Sequence, residues 1–357
     1  MTSGPVTPGP VRGRGVLEID GIGLGHAGCL TRSRLTGVTV LLPPAGSTVG
    51  VDVRGGGPAT HETDVIAPST HAYGADAIVL TGGSAIGLRS VAGVSETLAE
   101  AGRGFPAPGL PGTAIPLVPG AAIYDLGRGD GPVAAPTAAE GAAAAGMALS
   151  EPRTAAVRGS VGVGLGARAG GQTLRSSLGS ALMHLPGGYT VAALVAANPL
   201  GTIGTPGGTL WAGPLLEELG WDVPPLPGLP VAATAAFASA KNTTLAVVAT
   251  DARLDSAQVT GLAAGGHAGI SRAVRPSHTL FDGDTVFSVA TGGIPLPVDP
   301  AEATSALVSI TAAGADVIAL AVIDALVSAA PFDPSWGQPP TLTDIAPDFA
   351  RSFSALP

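Results

Sequence analysis

The chain reads as an α/β protein on three observations. Short β-rich runs alternate with helices of small residues along most of its length. Hydrophobic residues make up 45% of 357 and mean hydropathy is +0.42, too apolar for an unfolded chain even though Gly and Pro number 54 and 33. Aromatics are only 4%, so the core must be Ala, Val, Leu and Ile packed closely, with glycines allowing backbones to approach.

Taken in order, residues 1–15 (MTSGPVTPGPVRGRG) are a Pro/Gly-rich arm, expected to be flexible, with no apolar stretch of a secretory signal. GVTVLLP (37–43), TVGVDV (48–53) and DAIVLT (76–81) are β-rich runs bounded by Gly or Pro. A Gly-Gly turn then opens a helix over about 84–101, a strand is expected over 120–126, and the Ala-rich segment 134–149 predicts a tightly packed helix. SVGVGLGA (160–167) and YTVAALVAAN (189–198) are strand-like. From 199 to 240 the pattern breaks into Gly, Pro and Ala, with PPLPGLP at 224–230, and such a linker is functional or mobile. KNTTLAVVATDA (241–252) switches abruptly into a strong strand, followed by a helix over 255–272, a strand over 284–291 and a helix over 300–329. The apolar stretch 311–330 carries Asp316 and Asp324 and is expected to be a buried helix, not a membrane span.

Charge argues against several functions. Charged residues are 12% and net charge is −9, so electrostatic nucleic-acid binding is not expected. The basic residues are sixteen Arg and a single Lys, Lys241. One cysteine, Cys29, excludes an internal disulfide framework and a Cys-based zinc site. Six histidines lack metal-like spacing, of which His278, beside FDGD, stands nearest to a candidate site. GVGLGARAGG imitates a dinucleotide fingerprint, but no acidic ribose partner is placed for it, so no metal or cofactor is expected. A cytoplasmic protein is the expectation.

Asn242-Thr243-Thr244 stands where the irregular linker meets a buried strand. That is the arrangement a self-cleaving N-terminal nucleophile needs. Thr243 would attack the carbonyl before it, and cleavage of the Asn242–Thr243 bond would free an α-amine with a pKa of about 7.7–8.0, a usable base near neutrality. The tripeptide also fits a glycosylation sequon and an ordinary strand entry.

LTGVTVLL (35–42), VDVRGGGPATHETD (51–64), AIVLTGGSAIGL (77–88), VPGAAIYDL (118–126), GSVGVGLGARAGG (159–171), ALVAANPLG (193–201), NTTLAVVATDA (242–252) and SHTLFDGDTVFSVAT (277–291) together resemble the self-processing L-aminopeptidase/D-esterases and β-aminopeptidases. Within that family the chain is most similar to the nylon-oligomer hydrolases, whose nucleophile is Thr. The likeness runs in order over about 35–330. It implies a four-layer αββα sandwich of the DmpA-like and ornithine-acetyltransferase-like type, cleaved into a large chain 1–242 and a small chain 243–357 within one structural domain, assembling as a homo-oligomer, a tetramer of cleaved heterodimers. The implied substrate is a small amide or oligoamide, with no nucleic acid and no membrane as partner.

The resemblance also implies roles. Thr243 is the nucleophile and Asn242 precedes the cut; Asp282 and Asp284 orient the nucleophile, although by themselves they also read as a solvated turn. Asn198 faces the oxyanion, or simply ends a strand before Pro199. Tyr124 lies on the substrate side, or is an ordinary buried tyrosine; Gly82 and Gly83 offer backbone N–H groups to a substrate carbonyl, or form a tight turn. The chain departs from the family at a lysine that follows the segment GVGLGARAGG. Here Arg168 and Arg175 are left as candidate charge partners, and arginine cannot act as a base. An ornithine acetyltransferase-like transferase and a non-catalytic relative are the competing readings; the former usually shows a Lys-Gly-Ser-Gly-Met run where this chain has FASAKN.

Overall fold

The computed structural model describes residues 13–70, 74–151, 153–222, 224–229 and 242–356. Lys241, residues 1–12 of the expected arm and residues 230–240 of the expected linker lie outside the described residues. Gly15, the last residue of the expected arm, opens a 3-10 turn, Gly15–Glu18, whose Val16 and Leu17 are buried.

The strands are β1 (Gly23–Thr31), β2 (Arg34–Leu42), β3 (Thr48–Val53), β4 (Thr60–His61), β5 (Ile78–Thr81), β6 (Gly120–Ala122), β7 (Leu178–His184), β8 (Thr190–Asn198), β9 (Thr243–Ala252) and β10 (Thr285–Ile294). Two further two-residue pairs complete the described strands. The helices are α1 (Ser84–Gly87), α2 (Ser90–Glu100), α3 (Ala138–Ser150), α4 (Gly213–Glu218), α5 (Ser256–Ala273), α6 (Pro300–Val327), α7 (Leu342–Ile345) and α8 (Pro347–Ser354). One sheet has the order β1-β2-β5-β6-β4 and the other β7-β8-β9-β10-β3.

Alternation along β9 sets the layers. Leu245, Val247 and Ala249 pack into a core with Leu41, Ile78 and Leu80 of the first sheet, whereas Ala246 and Val248 face the opposite way, into a core shared with α5 and α6. On the far side of the first sheet, Val38, Val40 and Val79 pack against Val91 and Val94 of α2 and Ala144 of α3. The result is the four-layer αββα sandwich. A strand buried on both faces has no polar side to show, which is why LAVVA (245–249) is apolar throughout.

Glycine lets the layers approach. A Cβ at Gly25 of β1 would lie 2.1 Å from the Ala144 carbonyl oxygen of α3, and one at Gly179 of β7 would lie 2.1 Å from that of Ala321 in α6. Helix α6 is the expected buried helix over its second half, where Asp324 is fully buried and bonds Arg158 Nε at 2.9 Å and the Ser180 amide. Helix starts follow their caps: Thr137 and Glu140 form a capping box, so α3 begins at 138 and not 134, and Asp255 with Gln258 does the same for α5.

One expected strand is not one. Residues 160–167 contain a 3-10 helix, Gly162–Gly166, because Gly162 takes a left-handed φ of +49° and lets the Val163 amide reach Thr39 Oγ1. Strands β1 and β7 lie outside the runs the sequence predicts.

Candidate active site

Pairing within the second sheet assembles the site. Antiparallel β8 and β9 put Asn198 opposite Thr243, and parallel β9 and β10 bring the residues before each strand together, so Asn242 bridges to Asp282. Thr243 is 4% exposed and Asn198, Asn242, Asp282 and Asp284 are all buried.

The Thr243 hydroxyl donates to the Asn242 carbonyl oxygen at 2.5 Å, and the Gly283 N–H donates to that same oxygen at 3.1 Å. A Cβ on Gly283 would stand 2.8 Å from Thr243 Oγ1, so only glycine fits there without displacing the hydroxyl. Asn242 Nδ2 is held by the Pro199 carbonyl at 3.1 Å.

The two aspartates differ. Asp284 Oδ1 accepts from the Thr244 N–H at 2.6 Å, and Oδ2 accepts from the His278 N–H at 3.1 Å and pairs with His278 Nδ1 at 2.8 Å. Asp282 Oδ2 accepts from the Thr279 N–H at 2.8 Å, while its buried Oδ1 has no partner at hydrogen-bond geometry among the described residues. Burial first, and then the Asp284 charge, raise the Asp282 carboxyl above its usual range; weaker contributions from Thr279 and the Leu200 amide oppose this. His278 sits at a left-handed φ of +54°. Burial is the largest single influence on its imidazole and lowers its pKa, but the hydrogen bond and charge of Asp284 together outweigh it and the net shift is upward.

Asn198 Oδ1 accepts from the Arg168 N–H at 3.0 Å and from Arg128 Nη2 at 3.5 Å; its Nδ2 donates to the Tyr124 carbonyl at 3.3 Å. Neither expected charge partner directs its guanidinium to this amide. That of Arg168 bonds Gln338, and that of Arg175 lies over the Phe332 ring and bonds the Ala330 carbonyl and Ser160. Arg128 is the guanidinium at the site, and the sequence reading missed it. Its signal was a charged residue four places after Tyr124 in a chain with few charges.

Burial lowers the Arg128 pKa to about 10, helped by the Arg168 charge, and Asp125 opposes this. Asp125 itself is pushed up to about 6 by burial, despite the Gly83 N–H on its Oδ1 at 2.6 Å. The Gly82 N–H donates to the Gly37 carbonyl at 2.9 Å. Both glycine amides are therefore engaged inside the fold, where Gly83 turns the chain at φ +80° into α1.

A cleft of about 210 Å³ opens beside Thr243, lined by Tyr124, Asn242, Ser84, Leu280, Phe281 and small residues including Pro58. A larger cavity of about 400 Å³ lies along 207–225 and contains none of these groups.

Comparison with known proteins identifies the scaffold. The model of peptidase family S58 matches residues 15–338. The chain belongs to peptidase family S58. As a member of it, the protein is a hydrolase acting on amide bonds. It is 37% identical over 337 residues to an uncharacterized aminopeptidase of Mycobacterium tuberculosis, covering 88% of this chain and 94% of that one. It is 31% identical over 330 residues to the 6-aminohexanoate-oligomer endohydrolase of Paenarthrobacter ureafaciens, covering 86% and 84%. Among solved structures, a Burkholderia sp. β-aminopeptidase superposes with a TM-score of 0.68 at 23% identity, covering 98% and 96%. The L-aminopeptidase D-ala-esterase/amidase of Ochrobactrum anthropi does so at 0.60 and 18%, covering 92% and 91%. Both share the fold of this chain, and the Ochrobactrum structure is described as a variant of the N-terminal nucleophile (Ntn) hydrolase fold.

Proposed function

We propose that this S58 hydrolase cuts its own Asn242–Thr243 bond and then uses Thr243 as an N-terminal nucleophile on small oligoamides. The observation that carries the reading is the scissile carbonyl itself, whose oxygen accepts from both the Thr243 hydroxyl and the Gly283 amide. In self-cleavage, Oγ attacks the Asn242 carbonyl carbon, the C–N bond breaks, and the hydroxyl proton passes to the Thr243 nitrogen. Water then hydrolyses the ester and leaves Asn242 as a carboxylate and Thr243 with a free amine. The Gly283 N–H stabilises the oxygen as it becomes an oxyanion.

In turnover the α-amine takes the Oγ proton as Oγ attacks the substrate carbonyl, then gives it to the leaving amine, and water releases the acyl group. Asp284 orients the nucleophile through the Thr244 amide, Asp282 lies beside it, and the second N–H of the Asn198 carboxamide faces the substrate oxyanion. The cut chains stay together because β9 and β10 of the small chain are flanked by β8 and β3 of the large one. The heterodimers assemble further into a homo-oligomer.

The cleft residues carry no charged side chain. An uncharged aliphatic acyl segment suits that lining. Oligomers of 6-aminohexanoate, for which the Paenarthrobacter endohydrolase is named, fit this description. Assaying them beside amino-acid p-nitroanilides, with wild type and Thr243→Ala, tests the reading. Hydrolysis by wild type alone is expected, with the oligomers preferred; equal activity in the Ala variant would overturn it.

A further inference from the structure

Asn198 is buried at the end of β8, opposite Thr243, and its carboxamide has a fixed orientation for a reason that lies outside the strand. Its Oδ1 faces two donors, the Arg168 backbone N–H at 3.0 Å and Arg128 Nη2 at 3.5 Å, and its Nδ2 faces one acceptor, the Tyr124 carbonyl at 3.3 Å. Flipping the amide would set NH₂ against both donors and oxygen against oxygen. The same Nη2 of Arg128 also bonds the Tyr124 carbonyl, at 3.0 Å, so one nitrogen holds both the carboxamide oxygen and the acceptor of the carboxamide nitrogen.

Arg128 is itself fixed from several sides. Its side chain bonds Gln172 Oε1, its carbonyl accepts from Gln338 Nε2 at 2.8 Å, and the charge of Asp125 lies nearby. It is 5% exposed, which is costly for a guanidinium and leaves its field unscreened by water at the Asn198 oxygen. A cation on the carboxamide oxygen draws electron density from the nitrogen and makes the remaining N–H a stronger donor.

We propose that Arg128 is a positioning residue for the amide-hydrolysis reaction: it fixes and polarises the Asn198 carboxamide so that its free N–H meets the oxyanion. The inference rests on the oxyanion role given to Asn198 under Proposed function, and it adds a residue that acts only through that amide.

The test is a double-mutant cycle on the processed enzyme, with kcat and KM for 6-aminohexanoate oligomers and for amino-acid p-nitroanilides measured per cleaved chain. Arg128→Gln is expected to lower kcat roughly 10- to 100-fold while KM moves less than about 3-fold, since one oxyanion donor is worth about 100- to 1000-fold and here is weakened, not removed. Arg128→Lys restores part of the loss. In an Asn198→Ala background, Arg128→Gln changes kcat by less than about 2-fold, because the group it acts through is gone. A merely structural arginine would give the same fractional loss in both backgrounds, and that result overturns the proposal, as does wild-type kcat in Arg128→Gln. If Arg128→Gln does not fold beside the buried Asp125, the Asp125→Asn/Arg128→Gln pair removes both charges and enters the cycle against Asp125→Asn. Wild-type kcat in Asn198→Ala itself would overturn the oxyanion role and this inference together, and so would a wild-type enzyme that hydrolyses neither substrate.

Discussion

Changing each carboxylate of the Asp-Gly-Asp turn to its amide separates two residues that look equivalent in the sequence. Asp284 receives the Thr244 N–H at 2.6 Å, the His278 N–H at 3.1 Å and His278 Nδ1 at 2.8 Å. An amide keeps one acceptor oxygen and turns an NH₂ to the other side, so whichever way it is placed a backbone N–H faces a donor. A lost charge-assisted bond with its donor left unpaired costs about 3 kcal/mol, which is more than 100-fold if the transition state needs the same geometry. Asp282 Oδ2 accepts from the Thr279 N–H at 2.8 Å, the Leu200 amide contributes more weakly, and Oδ1 has no partner at hydrogen-bond geometry among the described residues. Asp282→Asn therefore resembles the neutral acid that burial and Asp284 already favour, and costs less than about 1 kcal/mol. Denaturant unfolding of the uncut Thr243→Ala chain carrying each change gives the structural cost, and self-cleavage in the Thr243 background gives the functional cost of Asp284→Asn. Asp284→Asn is expected to lose about 3 kcal/mol and at least 100-fold in cleavage rate. Equal stability losses for the two amides, or a larger one at Asp282, would refute the reasoning.

Asp125 provides a pH test: its carboxyl titrates near 6 in the fold, against an ordinary 3.8. A raised folded value gives stability that is present below the unfolded value and lost as pH rises through the folded one. Between pH of about 4 and 6 wild type should thus lose about 3 kcal/mol relative to Asp125→Asn in denaturant midpoints, and parallel pH profiles would contradict this. His278 follows the same sign. Its bond to Asp284 gives stability fully present below the usual histidine pKa and lost as pH rises through the higher folded value, whereas His278→Asn, which tolerates the left-handed backbone, should lack that alkaline loss in the same titration. Gly283→Ala should slow self-cleavage at least 10-fold on a denaturing gel, because its methyl displaces the Thr243 hydroxyl; Gly146→Ala, in open space on α3, should cleave normally and be about 0.5–1 kcal/mol more stable.

The parts of the fold most legible in the sequence were those whose chemistry admits one environment. LAVVA (245–249) has no polar face, so β9 had to be buried on both sides, and Thr48–Val53 matches its expected run residue for residue. Strands β1 and β7 were not legible, because GLGHAGCLT and LGSALMH hold a single β-branched residue between them, Thr31, and are broken by glycines. Residues 160–167 show the converse, with β-like valines overridden by a glycine that takes a left-handed turn. At the site, the sequence indicates which residues stand beside the Asn242–Thr243 bond but not which donor serves which acceptor. Gly82 and Gly83 have the flexibility to offer amides, yet the Gly37 carbonyl and Asp125 take both. Arg128 owes its place at Asn198 to tertiary contacts and not to strand register.

The central claim is that Thr243 cuts the bond before it. Intact-mass analysis of purified wild type beside Thr243→Ala tests it directly: two chains ending at Asn242 and beginning at Thr243 for wild type, and one uncut chain for the variant, are the predicted result. The same two fragments from both proteins, or an uncut wild type, would contradict the account.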